Sequence, residues 1–128
     1  MIENNQATIY RQTLNRTFIN AFNGIQYFFR TERNGKIQAS VAIFVILAGF
    51  YVKLSAFEWI ITLLCIGAVL SLEMLNTSLE YLCNIVHGEY HPVIKIIKDV
   101  AAGAVLAVSI ISSVIGLIIF IPKLLLLI

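Results

Sequence analysis

The stretch that decides the fold is Glu73-Met74-Leu75-Asn76-Thr77-Ser78-Leu79-Glu80. It places two carboxylates and an amide inside a run that is otherwise apolar enough to cross a bilayer. On an α-helix, at about 100° per residue, Asn76 stands about 60° from Glu73 and Glu80 about 20° from it. Thr77, Asn84 and His87 fall within about 40° of the same line. Leu75, Leu79, Leu82, Ile85 and Val86 occupy the flanks and the far side. Ionisable groups at membrane depth are costly and tend to be functional, so this stripe is expected to face a protein interior or a wet cavity.

Composition points the same way. Of 128 residues, 59% are hydrophobic and only 12% charged, which is the balance of a membrane protein and not of a soluble domain. The formal net charge of +2 is far from the excess of a nucleic-acid binder. Cys65 and Cys83 both sit in apolar segments without metal-ligand spacing and read as small packing residues. The first apolar run begins near Ile37, behind a long polar and basic segment, so no secretory signal peptide is expected.

From about residue 9 to 30, Tyr10, Leu14, Phe18, Phe22, Ile25, Phe28 and Phe29 recur at helical spacing. Arg11, Gln12, Asn15, Arg16, Asn23, Gln26 and Arg30 fill the other side. An amphipathic helix with a basic face suits the membrane interface; an ordinary surface helix has the same pattern. Spans are expected at about 34–53, 57–87 and 98–121. Lys53 ends the first, with Leu54-Ser55-Ala56 as a tight connection. Gly88 can cap the second, Pro92 breaks the chain after it, and Pro122 closes the third. Gly103/Ala107 and Ser112/Gly116 would permit close helix approach. Trp59 and Tyr51 read as interfacial aromatics, Glu3 and Glu58 as solvated charges, and His87 equally as a functional group or a helix end.

Arg11, Arg16, Arg30, Arg33, Lys36, Lys95 and Lys98 lie on one side of these spans, and Lys53 and Lys123 on the other. The positive-inside rule puts the first group in the cytoplasm, with a cytoplasmic N-terminus and an external C-terminus. Glu73 is about 21 Å along the helix from Trp59, in the cytoplasmic third of a core about 30 Å thick. Glu32, Glu80, Glu89, His91, Lys98 and Asp99 gather at the same edge. Carboxylates with substrate phosphates hold Mg²⁺, a lysine is a mobile charge for phosphate, and a carboxylate can take a hydroxyl proton. Metal-assisted phosphoryl transfer to a lipid alcohol would use all of them. No Walker A or kinase-type glycine loop is present. The competing reading is a non-catalytic membrane regulator or transporter subunit, in which these groups hold helices together.

Glu73-xx-Asn76-xxx-Glu80, Glu89-Tyr90-His91-Pro92 and the run Lys98-Asp99-Val100-Ala101-Ala102-Gly103-Ala104-Val105-Leu106 resemble the small prokaryotic diacylglycerol kinase/undecaprenol kinase family. Asn20-Ala21-Phe22-Asn23-Gly24-Ile25 and Glu32-Arg33-Asn34-x-Lys36-Ile37 are similar too, so the likeness covers roughly residues 16–120. The resemblance implies an all-α membrane protein of the plasma (inner) membrane: a homotrimeric bundle with an N-terminal surface helix, three spans per protomer and sites shared between protomers. It implies ATP and Mg²⁺ as co-substrate and cofactor, with diacylglycerol as first choice of lipid and undecaprenol as alternative. By position, Glu73 would be the general base, and Glu32 and Glu80 the metal ligands. Asn20, Asn76, Glu89, Tyr90, His91, Lys98 and Asp99 would meet the nucleotide. Asn34, Lys36 and Gln38 would meet the lipid headgroup. Many relatives carry Asp where this chain has Asn84, and the arginine near the start of the surface helix corresponds to Arg11 or Arg16.

Overall fold

A computed structural model describes residues 13–128. The described residues form four helices: α1 (Leu14–Thr31), α2 (Arg33–Val52), α3 (Ala56–Val86) and α4 (Pro92–Leu125). The part of the expected first helix at Tyr10, Arg11 and Gln12, and Glu3 with it, lies outside the described residues. Helices α2, α3 and α4 are each long and apolar enough to cross a membrane. At 1.5 Å per residue, α3 is about 46 Å long and α4 about 51 Å, so both outrun a hydrocarbon core of about 30 Å.

Each boundary has a local cause. Thr13 accepts a hydrogen bond from the Arg16 backbone at 3.4 Å and starts α1. A single residue, Glu32, separates α1 from α2; its N–H donates to Phe28 O at 3.0 Å. Gly35 makes this elbow possible, because a Cβ there would stand 2.7 Å from Phe28 O. At the other end of α2, Lys53 turns into the left-handed region (φ 57°), and Leu54 N–H reaches back to Gly49 O at 3.1 Å.

Ser55 and Glu58 then form a capping box: Glu58 N–H donates to Ser55 Oγ at 3.2 Å, and Ser55 N–H to Glu58 Oε1 at 3.3 Å. Glu58 also pairs with Lys123 at 3.1 Å. It is therefore a structural residue and not the solvated charge that its polarity suggested. The Ser-x-x-Glu spacing carried the correct reading. Trp59, expected as an interfacial aromatic, packs within the chain: its ring lies 4.8 Å from that of Phe50, and its Cη2 would stand 2.8 Å from a Cβ at residue 49.

One cap and two boundaries differ from the sequence expectation. Helix α3 is closed by His87, whose N–H donates to Cys83 O, and Gly88 has no positive φ. Helix α4 begins at Pro92, ahead of the Lys98 start. Proline at the first helical position loses only an N–H that would be unbonded anyway, and His91 Nδ1 accepts from Val93 N–H at 3.1 Å. Pro122 is passed without ending α4, which runs one further turn to Leu125.

Helices α3 and α4 form the main hairpin, and α2 lies against both. Few of the described side chains are buried: Phe28, Val52, Leu54, Val69, Cys83 and Val105 among the apolar ones, and Thr62, Glu73 and Asn76 among the polar ones. A cavity of about 900 Å³ separates α2 from α3 and α4, lined among others by Val45, Ala48, Cys65, Val69 and Ser112. The close approaches expected at Gly103 and Gly116 are not made within the chain, since a Cβ at either would meet nothing within 4 Å. They are made at Gly35 and Gly49 instead.

Candidate functional site

The polar stripe on α3 divides by depth. Glu73 is 6% exposed and Asn76 8%, although both are polar and α3 is otherwise apolar. Asn34 and Gln38, on the first turns of α2, present their side chains to the Glu73 carboxylate, and Glu80 lies within electrostatic reach of it. Even so, Glu73 Oε2 and Asn76 Oδ1 have no hydrogen-bond partner among the described residues. An unmade hydrogen bond on a buried acceptor costs about 1–3 kcal/mol. Two such oxygens, one turn apart on one helix face, form an acceptor pair that awaits a donor: a hydroxyl, or a cation with its waters.

Above this pair the stripe opens. Glu80 is exposed and Glu32 half-buried at the elbow. Glu32 accepts a hydrogen bond from the hydroxyl of Tyr81. Lys98 Nζ donates to Asn84 Oδ1 at 2.7 Å, a bridge from α4 to α3. Because Asn84 is a neutral amide, it orients the ammonium without cancelling its charge.

The other expected residues are less enclosed than Glu73 and Asn76. Asp99 pairs with Lys95 at 2.5 Å, with both side chains about three-fifths exposed (62% and 59%). Glu89, Tyr90 and His91 occupy the exposed α3–α4 connection, where His91 caps α4 and its ring meets that of His87 at 5.4 Å. Asn20 is on the exposed surface of α1, and Asn34 and Lys36 are exposed at the start of α2. Two residues were not anticipated: Tyr81 and Tyr27, whose hydroxyls are 3.4 Å apart. Tyr81 is about 80° from Glu73 around the helix, off the stripe, where an aromatic reads as apolar lining. Only its position next to Glu80 hinted at it.

The donor set fits a divalent cation of one kind. Among the described residues no three metal-capable side chains converge. Glu32 and Glu80, hard oxygen donors on adjoining elements, suit Mg²⁺, which keeps its waters and needs one or two carboxylates beside substrate phosphates.

These features define a class: a small helical membrane protein with an unsatisfied carboxylate inside a helix long and apolar enough to cross a bilayer, and acidic, amide and lysine groups toward one end. The chain belongs to the prokaryotic diacylglycerol kinase family, whose model matches residues 19–120. It is 46% identical over 118 residues to the undecaprenol kinase of Bacillus subtilis (strain 168), an alignment covering 90% of this chain and 96% of that protein. It is 37% identical over 110 residues to the diacylglycerol kinase of Synechocystis sp. (strain ATCC 27184 / PCC 6803 / Kazusa), covering 85% of this chain and 63% of that one. Membership makes the chain a lipid kinase by family, a reading the sequence resemblance had already reached.

Proposed function

We propose that this protein transfers the γ-phosphate of ATP to the hydroxyl of a membrane lipid, with undecaprenol ahead of diacylglycerol. Sequence resemblance alone had put diacylglycerol first. The 46% identity to an undecaprenol kinase, over nearly all of that protein, supports the prenol at least as well. The diacylglycerol kinase is the more distant of the two relatives and extends well beyond the match.

The observation that carries the reading is the buried Glu73 carboxylate with its unpartnered Oε2. A lipid hydroxyl is the donor that this oxygen lacks, and accepting its proton makes Glu73 the general base. Asn34 and Gln38 orient the carboxylate from α2, and with Lys36 they meet the headgroup. Along α3 the order is Glu73, Asn76, Glu80 and then Lys98 held on Asn84. It matches the order lipid hydroxyl, transferring phosphate, remaining phosphates. Asn76 and Lys98 hold phosphate oxygens, and Asn20, Glu89, Tyr90, His91 and Asp99 meet the rest of the nucleotide. When bound by Glu32 and Glu80, Mg²⁺ would supply charge neutralisation on the phosphates. Direct in-line transfer asks for positioning and charge neutralisation, so no phosphoenzyme is expected.

The basic end of the bundle is cytoplasmic in this reading, where ATP is, with the C-terminus outside the plasma membrane. The open cavity and the scarcity of buried apolar side chains support association into the homotrimer that the family resemblance implies, with sites shared between protomers. The test is ATP-dependent phosphorylation in mixed micelles containing both alcohols and Mg²⁺. Transfer to undecaprenol exceeding that to diacylglycerol is expected. The reverse ratio would restore diacylglycerol as the substrate. No transfer to either by an intact oligomer would favour a non-catalytic role.

A further inference from the structure

We propose that Tyr81 is a positioning residue for the Glu32 carboxylate, holding it at the α1–α2 elbow in the orientation that receives a divalent cation bound to ATP. The inference rests on the lipid-kinase reading above.

Glu32 is the only residue between α1 and α2, and its backbone is already fixed. Its N–H is bonded to Phe28 O, and Gly35 packs against the same residue from the next turn. At a helix N-cap a side-chain acceptor, most often a short one, can turn back onto the free N–H groups of the first turn. Glu32 occupies that position and makes no such bond. Its side chain instead crosses to α3 and accepts from the Tyr81 hydroxyl. Tyr81 is braced in turn by Tyr27 of α1: the rings meet edge to face, 6.5 Å apart at 72°, with hydroxyls 3.4 Å apart. The chain Tyr27–Tyr81–Glu32 thus ties α1, α3 and the elbow together.

The chemistry of the donor matters. A lysine or arginine on Glu32 would orient it but would also cancel its charge and compete with the cation. A phenol orients one carboxylate oxygen, leaves the charge in place and leaves the other oxygen open. Among the described residues no ion pair reaches Glu32. Tyr81 also directly follows Glu80, so one turn of α3 carries one candidate metal carboxylate and fixes the other.

Tyr81→Phe removes the hydroxyl and keeps the ring. The probe is Mn²⁺ with ATP, its binding read from the electron paramagnetic resonance of free Mn²⁺ in a Glu73→Gln background where turnover is blocked. Tyr81→Phe is expected to weaken Mn²⁺–ATP binding about five-fold, the loss of one hydrogen bond to a charged group on a partly solvated site. In the active background the half-activating Mg²⁺ concentration should rise while the KM for lipid stays unchanged. Glu32→Gln should weaken binding by itself, and Tyr81→Phe added to it should cost nothing more. Tyr27→Phe, which removes only the brace, should give a smaller loss in the same direction and serves if Tyr81→Phe fails to assemble. Unchanged Mn²⁺–ATP binding in an assembled Tyr81→Phe, or full additivity with Glu32→Gln, would overturn the positioning role; so would unchanged binding in Tyr27→Phe if that variant has to serve. If the wild-type protein phosphorylates neither lipid, the kinase reading fails; if it is active and the tyrosine variants bind normally, only this inference fails.

Discussion

The two ends of the helical bundle treat their polar groups in opposite ways. At the α2–α3 turn the carboxylate and its lysine are partnered: Glu58 closes a capping box with Ser55 and pairs with Lys123, and Lys123 also reaches Lys53 O at 3.4 Å. Gly49, Leu54 and Trp59 pack tightly beneath. Toward the other end, Glu73 and Asn76 are buried with unpartnered oxygens, and Lys98 is held by a neutral amide. Satisfied polar groups stabilise a turn and leave nothing over for a ligand. Unsatisfied ones destabilise the empty protein and become favourable when a ligand brings what they lack. In the proposed reading one end serves structure and the other chemistry.

The comparison can be broken most severely at Glu73. Glu73→Gln keeps the shape and hydrogen-bonding capacity but removes the base, and lipid phosphorylation should fall about a thousand-fold, as for loss of a general base. Oligomer size by detergent chromatography should not change. Gly35→Ala comes next and blurs the two ends, because it forces a Cβ against backbone at 2.7 Å. Displacing the elbow should cost about 1–3 kcal/mol, and since Glu32 moves with it, activity should fall together with the melting temperature.

Glu58→Ala sharpens the contrast from the opposite end. It removes half of the capping box and the Lys123 pair, so thermal unfolding should occur at lower temperature while turnover per folded molecule holds. The smallest expected effect is at Asn84. Asn84→Asp would turn the 2.7 Å contact with Lys98 into an exposed ion pair and divert part of the lysine charge from phosphate. The KM for ATP should rise about two-fold, in keeping with the modest strength of such pairs. An unchanged or lower value would remove Lys98 from phosphate binding.

Much of this architecture was legible before any coordinates. Helical periodicity separated the stripe of Glu73, Asn76 and Glu80 from its leucine flanks, and the three apolar runs marked helices long enough to cross a membrane. What escaped the sequence depends on contacts between elements or on the geometry of a single residue. Tyr81 escaped because periodicity places a side chain on a face and says nothing of the residue brought opposite, here Glu32 from the elbow. Gly88 looked like a helix cap, yet His87 closed α3 in extended conformation first. Gly103 and Gly116 looked like contact points, but spacing cannot say whether the contact is made within the chain. Glu58 is legible from Ser55 three residues earlier, because Ser-x-x-Glu is the spacing of a capping box. Burial without a partner at Glu73 Oε2 was beyond the sequence altogether, because the absence of a donor is a property of the whole packed structure.

The most direct test takes both quantities from both ends in one set of preparations: lipid phosphorylation and melting temperature for Glu73→Gln and Glu58→Ala beside the wild type. The account predicts a crossed result, with Glu73→Gln inactive yet at least as thermally stable as wild type, and Glu58→Ala less stable yet active per folded molecule. If Glu73→Gln melts early and its residual activity tracks the folded fraction, Glu73 serves to hold helices together, and the division between a structural end and a chemical end is wrong.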